Sequence, residues 1–364
     1  MTQPIGAFPA PTWTPPPREP FVPLRPLTLG QILSGAFRTL RHNPAVTLGP
    51  SIVISLAAAL LALGVSTWVI DPLVDGYGSG AGSSRTYDWL VGFGAGLIGW
   101  MVVRVLATTA GVLQQGVSAA DVSHAVLGRR LTTVGLRRRT RGVRGPLAAW
   151  AVIVSVVLLV AGLLGAALIG AAAMADAAGS VLIAALVYTV AAVLLAWIGT
   201  RLAFVPSVLV VERLPLGRAI GRARRLTRHQ FWRTFGIRIL CWSMIWLATL
   251  LVGIPVQLII AWLGSIVAGN GATSDQVVIM HLSDIATAVV GAIIGAIGLV
   301  ITTATDAILY LDLRMRQEGL DLELGRFMEH RRPGTRFDPA EVDPYRTPGA
   351  AAPASANPGA SAWG

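Results

Sequence analysis

Six long apolar runs alternate with loops that switch between arginine-dense and nearly arginine-free, and no other feature constrains the fold as strongly. Three runs carry no charge, at 43–70, 147–175 and 239–274. Three carry one each: 89–112 with Arg104, 180–211 with Arg201, and 285–311 with Asp306. A helix needs roughly 20 apolar residues to cross a bilayer core, and every run is long enough. The loop 115–145 holds seven arginines and the loop 212–233 holds seven more. The loops 72–88, 172–180 and 266–284 hold only Arg85. Basic short loops stay on the cytoplasmic side. The expectation is an all-α polytopic membrane protein with six transmembrane helices and both termini in the cytoplasm. It places the chain in the plasma (inner) membrane, with spans near 46–70, 89–113, 147–173, 180–210, 237–265 and 285–311.

The charge balance fits that frame. All 29 basic residues are arginine and the net charge is +11. In a soluble chain this would point to nucleic acid, but here the charge sits in loops flanking spans. Orientation and attraction to anionic inner-leaflet lipid explain it, and no nucleic-acid partner is expected. Cys241 is the single cysteine, which excludes an intrachain disulfide and any multi-cysteine metal site. Residues 1–26 contain nine prolines and no apolar h-region, so they read as a disordered cytoplasmic tail rather than a signal peptide. Residues 332–364, rich in Pro, Ala, Gly and Ser, read as a second disordered tail. The membrane domain is 27–331.

Two segments match without a gap, Leu27 to Gly49 and Leu214 to Gly236. Eight positions are identical, among them Gly30/Gly217, Ala36/Ala223, Arg41/Arg228, His42/His229 and Thr47/Thr234. In the first copy Leu29, Ile32, Leu33, Ala36, Phe37 and Leu40 share one helical face. In the second, Leu216, Ala219, Ile220 and Ala223 oppose Arg218, Arg222 and Arg225. Both read as amphipathic helices lying in the inner interface. Their polar residues Arg38, Arg41, His42, Arg218, Arg222, Arg225, Arg228 and His229 are candidate lipid contacts. The ends of three spans also correspond, Arg104–Gln115, Arg201–Glu212 and Ile301–Asp312. A unit of one interfacial helix plus two spans is therefore expected three times, with a degenerate middle interfacial element near 122–136.

Arg104 and Arg201 each precede a polar anchor, Gln115 or Glu212, by eleven residues. On a straight helix that is roughly 16 Å, close to the bilayer midplane. Asp306 lies roughly 9 Å from Asp312 on the same scale. Charges at that depth cost about 2.5–3.5 kcal/mol on insertion scales and seldom face lipid. One reading gathers Arg104, Arg201 and Asp306 into an intramembrane polar cluster. The other has each arginine snorkel to the interface or bind carbonyls freed at a kink, for which Pro206 is a candidate.

Catalytic signatures are missing from the sequence. Without lysine there is no phosphate-binding GxxxxGK[ST] loop. The five histidines are scattered without metal-ligand spacing, so neither metal nor cofactor is expected, and no catalytic residue is assigned. Pro23–Leu33, Phe231–Ile237 and Tyr310–Leu322 resemble segments of actinobacterial integral membrane proteins labelled as a glycerophosphoryl diester phosphodiesterase membrane domain. That resemblance implies a multispan inner-membrane protein without the soluble catalytic barrel, and it carries over no functional residue. The functional expectation is a non-catalytic protein that organises lipids or membrane-protein partners at the inner leaflet. The alternative is a transporter or lipid translocator using Arg104, Arg201 and Asp306.

Overall fold

A computed structural model describes residues 23, 25–67, 85–126, 141–175, 177–268, 273–329 and 345. Every element among them is helical. In chain order these are α1 Leu29–His42, α2 Pro44–Val65, α3 Arg85–Val126, α4 Arg144–Ala175, α5 Ala177–Leu202, α6 Val205–Val211, α7 Leu216–Arg228, α8 Phe231–Ala268, α9 Thr273–Glu318 and α10 Leu320–Glu329. The two tails expected to be disordered lie outside the described residues, apart from Pro23, Arg25, Pro26 and Tyr345.

Local sequence explains where the helices begin and end. Thr28 caps α1 through a reciprocal pair with Gln31: the Thr28 hydroxyl accepts the Gln31 N–H, and the Gln31 amide oxygen accepts the Thr28 N–H at 3.0 Å. Pro44 opens α2, where its missing N–H costs no helical bond. Gly319 takes φ +66°, a left-handed stop that separates α9 from α10. On α7 the buried residues Ala219, Ala223, Leu226 and Thr227 form a single stripe.

Among the described residues, five segments are long and apolar enough to cross a membrane: Pro44–Val65, Arg144–Leu168, Leu182–Val211, Phe231–Ile266 and Leu282–Glu318. This is a multi-pass integral membrane protein. The span expected at 89–113 falls inside α3, and the side chains of much of its first half lie outside the described residues. The interfacial element expected at 122–136 does not begin as a separate helix, since 122–126 are the last residues of α3. Its remainder lies outside the described residues.

α9 occupies the centre, packed on α2, α8, α3 and α1, while α3 also packs on α4, α2 and α6. Gly298 lets α8 and α9 cross closely: a Cβ there would stand 2.7 Å from Ile245 Cγ2. Burial is concentrated at one end of the bundle. Phe204, all of α6 and the stretch 303–315 are buried there, with Leu27, Ile32, Leu226 and Leu320 around them. Elsewhere the perimeter is apolar and exposed, as at Leu164, Leu186, Trp246 and Leu251, the pattern of a lipid-facing surface.

Candidate functional site

The buried end of the bundle also holds its buried charge, arranged around three carboxylates. Asp312 on α9 is fully buried. Its Oδ1 accepts the Leu27 N–H at 2.7 Å, both oxygens accept Arg316 Nε at 3.1 Å, and Oδ2 accepts Arg233 Nη1. The same two arginines donate to the Leu27 carbonyl, at 2.9 Å from Arg233 and 2.8 Å from Arg316. The segment entering α1 is thus clasped to α8 and α9 through its backbone.

Glu212, at the end of α6, is equally buried. It accepts Tyr310 Oη at 2.6 Å and Arg222 Nε at 3.1 Å. Glu318 closes the circuit, pairing Arg222 at 2.6 Å and Arg314 at 3.0 Å. Arg222 lies outside the spans. Burial pushes its guanidinium down, but Glu212 and Glu318 more than reverse this, so its pKa sits above the ordinary arginine value. Arg314 further donates to the Tyr345 carbonyl at 3.2 Å, and Tyr345 Oη donates to the Ser123 carbonyl at 2.8 Å. A residue of the C-terminal tail is therefore seated in the polar end.

Asp306 lies deeper along α9. It pairs with Arg238 of α8 at 3.6 Å and accepts Gln115 Nε2 of α3 at 3.2 Å. The same amide donates to the Ala203 carbonyl at 2.6 Å. That carbonyl belongs to the break between α5 and α6, so Gln115 occupies a backbone acceptor that the break leaves outside either helix. On the opposite flank Asn43 donates to Asp121 at 3.3 Å. Burial raises the Asp121 carboxyl above its usual range, with Asn43 and His42 pulling it partly back.

The three charges proposed as an intramembrane cluster do not meet. Asp306 takes Arg238 and Gln115 as partners. Arg104 is an exposed residue of α3. Arg201 stacks on Trp197, with Cζ 4.3 Å from the ring centroid. Beyond Arg201 the chain does not continue as the one straight helix on which its expected depth was counted. α5 stops at Leu202, two residues turn, and α6 starts at Val205 with Pro206 in its first turn. Arg201 consequently lines a hollow of about 460 Å³ with Trp197, Arg228, His229 and the first residues of α8, Phe231 to Arg233.

The candidate lipid contacts separate into two groups. Arg38 and Arg41 on α1, and Arg218, Arg225, Arg228 and His229 on or just after α7, are exposed. His42 is half-buried near Asp121. Arg222 turns inward to Glu212 and Glu318 and is spent on the fold. Sequence reasoning missed Arg238, Tyr310, Arg314 and Glu318. Arg314–Glu318 and Asp312–Arg316 are both i,i+4 pairs, a signal that was available.

A second hollow, of about 660 Å³, lies between α2, α3 and α9. Its walls are small and apolar, with Asp284, Ser55, Ser66 and Thr287 among them, and none of the expected site residues line it. No family model matches this chain, and neither a curated protein nor a solved structure is similar to it.

Proposed function

We propose that this chain is a non-catalytic plasma-membrane protein that organises anionic lipid, and with it membrane-protein partners, at the inner leaflet. In this reading six spans place the polar end and both termini in the cytoplasm. The observation that carries it is the division of labour on α1 and α7. Each presses a small-residue face onto the bundle and turns arginines outward. The inward positions correspond in the two matched segments: Ile32, Ala36 and Thr39 against Ala219, Ala223 and Leu226. That correspondence supports a repeated unit. At an interface carrying anionic headgroups, each outward arginine contributes about 1 kcal/mol of attraction.

A non-catalytic role is supported by how the buried carboxylates are used. Asp306, Glu212 and Asp312 each face arginine or amide donors, as structural acids do, and none lines either hollow. The resemblance of Pro23–Leu33, Phe231–Ile237 and Tyr310–Leu322 to the membrane part of the phosphodiesterase-labelled family, a part without the catalytic barrel, agrees with this reading. The transporter alternative would need Arg104, Arg201 and Asp306 to act together; Asp306 pairs with Arg238 and Gln115, and Arg201 stacks on Trp197, which favours the organising role.

The test uses polymer-extracted nanodiscs, comparing the lipid around the protein with that of the bulk membrane. Wild type should be enriched in anionic lipid. Arg218→Gln/Arg225→Gln, which touches neither buried network, should lose much of that enrichment. Equal enrichment in both, or none in wild type, would sink the proposal.

A further inference from the structure

The arginines at the polar end differ in one respect. Arg222 and Arg314 meet Glu212 and Glu318, Arg233 and Arg316 meet Asp312, and Arg238 meets Asp306. Arg201 and Arg228 meet no carboxylate among the described residues. Both line the 460 Å³ hollow, together with His229 and Gln230, and no acid lines it among the described residues. Among the described residues the Arg201 guanidinium meets the Trp197 ring, a contact that positions it while leaving its N–H groups available. Arg233, which also lines the hollow, is paired with Asp312, a carboxylate it shares with Arg316.

Two features add to this surplus of positive charge. The first intrahelical bond of α8 runs from Thr234 N–H to the Gln230 carbonyl at 3.0 Å. The N–H groups of Phe231, Trp232 and Arg233 therefore precede the helical ladder and point out of the helix end. The rim is apolar: Trp197 and Trp232 are 44% and 78% exposed, and Leu194, Ile198 and Ile239 extend an exposed greasy flank along α5 and α8. The hollow thus pairs a cationic floor with an apolar exit, and its volume lies in the range of small-ligand sites.

We infer that this hollow binds the phosphate of one anionic phospholipid, between Arg201, Arg228 and His229, with the acyl chains lying along α5 and α8. The inference rests on the reading of an inner-leaflet lipid organiser and deepens it. Where the outward arginines of α7 attract anionic lipid diffusely, this site holds a single molecule. A guanidinium–phosphate contact is bidentate and charge-assisted. A zwitterionic headgroup would bring its cation against the same arginines.

Native mass spectrometry of the full chain in mild detergent tests it, with phosphatidylglycerol, phosphatidylcholine and soluble glycerol phosphate as probes. Wild type should carry one phosphatidylglycerol at sub-stoichiometric lipid, little phosphatidylcholine, and no glycerol phosphate at matched concentration. Arg228→Gln, whose side chain bonds to no other described residue, should keep the fold and weaken phosphatidylglycerol about tenfold or more. Arg201→Gln should do the same, and Arg218→Gln/Arg225→Gln should leave this one-molecule adduct intact. An adduct that survives both Arg201→Gln and Arg228→Gln overturns the site. If the outward pair alone removes it, the diffuse reading stands and the hollow is empty of lipid. If no variant alters lipid binding, both readings fall. Equal binding of soluble glycerol phosphate would overturn the assignment to a lipid.

Discussion

Replacing Asp312 with alanine removes the acceptor on which three elements converge, and its consequence can be worked from the contacts. The Leu27 N–H would be left buried without a partner, a loss of about 1–3 kcal/mol by itself. Arg233 and Arg316 would keep the Leu27 carbonyl but lose their counter-charge. Breaking one side of a buried ion pair costs about 3–5 kcal/mol. The two guanidiniums are 28% and 30% exposed and can recruit water, which favours the lower bound. Taking both lower bounds, about 1 kcal/mol for Leu27 and about 3 kcal/mol for the pair, the expected destabilisation is about 4 kcal/mol. At about 2 °C per kcal/mol for a chain of this size, the apparent melting midpoint in mild detergent should fall by about 8 °C. Fluorescence-detected size exclusion after a heating series reads this directly. Asp312→Asn keeps an acceptor for Leu27 and should recover about 1 kcal/mol of the loss. Hydrogen exchange supplies a local check, since the Leu27 amide should exchange far faster in Asp312→Ala. A midpoint within about 1 °C of wild type, with Leu27 still protected, would refute the clasp.

The other expectations are narrower. Burial holds the Asp121 carboxyl above its ordinary 3.8, so the fold favours the protonated acid. Its contribution is whole below that ordinary value and is lost as pH rises through the folded one. Relative to Asp121→Asn, wild type should lose stability as pH climbs above 3.8. A flat or oppositely sloped difference between the two melting curves would contradict this. Gly298→Val forces a branched side chain into the α8–α9 crossing beside Ile245 and should cost about 1–3 kcal/mol, whereas the same change at Gly295, where a Cβ meets nothing within 4 Å, should be milder. Tyr345 is 1% exposed, so chymotrypsin should leave the bond after it intact until the bundle melts. Early cleavage there would show that the tail is not seated.

What could be read from the sequence divides along physical lines. Hydropathy and length sufficed for the helical membrane architecture, because bilayer thickness acts on one segment at a time. The positions matched at the span ends, Gln115, Glu212 and Asp312, are all buried bonding centres. The alignment located them, although only as anchors. The depth expected for Arg201 came from counting residues along a straight helix, and the turn at Ala203–Phe204 interrupts that helix. Arg238 escaped notice as a charge just outside an apolar run, though it is the cation Asp306 uses. Arg222 looked like any other residue on the polar side of α7. Its carboxylate partner, ten residues earlier, lies across a turn that a helical projection cannot represent. Tyr345 gave no signal at all, since a single aromatic in a proline-rich tail has no periodicity to betray a contact.

These misses share a cause that bears on function. Whether an arginine near a membrane builds the fold or serves a ligand is decided by the nearest carboxylate, and sequence distance does not measure that. Arg222 and Arg228 are six residues apart on the same helix, the first turned inward and the second exposed. Glu212 and Glu318 enclose the first, while the second opens onto a hollow walled by indoles and further cations. Desolvating a cation without a counter-ion is costly, so a cationic pocket at a bilayer surface persists most cheaply where an anion completes it. The inner leaflet is the nearest supply of such anions. The buried ion pairs tie the elements at this end of the bundle to one another, and Arg201 and Arg228 line the same hollow beside them. Loosening the Asp312 clasp, which fixes Arg233 beside the hollow, should therefore weaken lipid retention as well as stability. Replacing Gly298, which acts on a crossing away from the hollow, should lower stability alone.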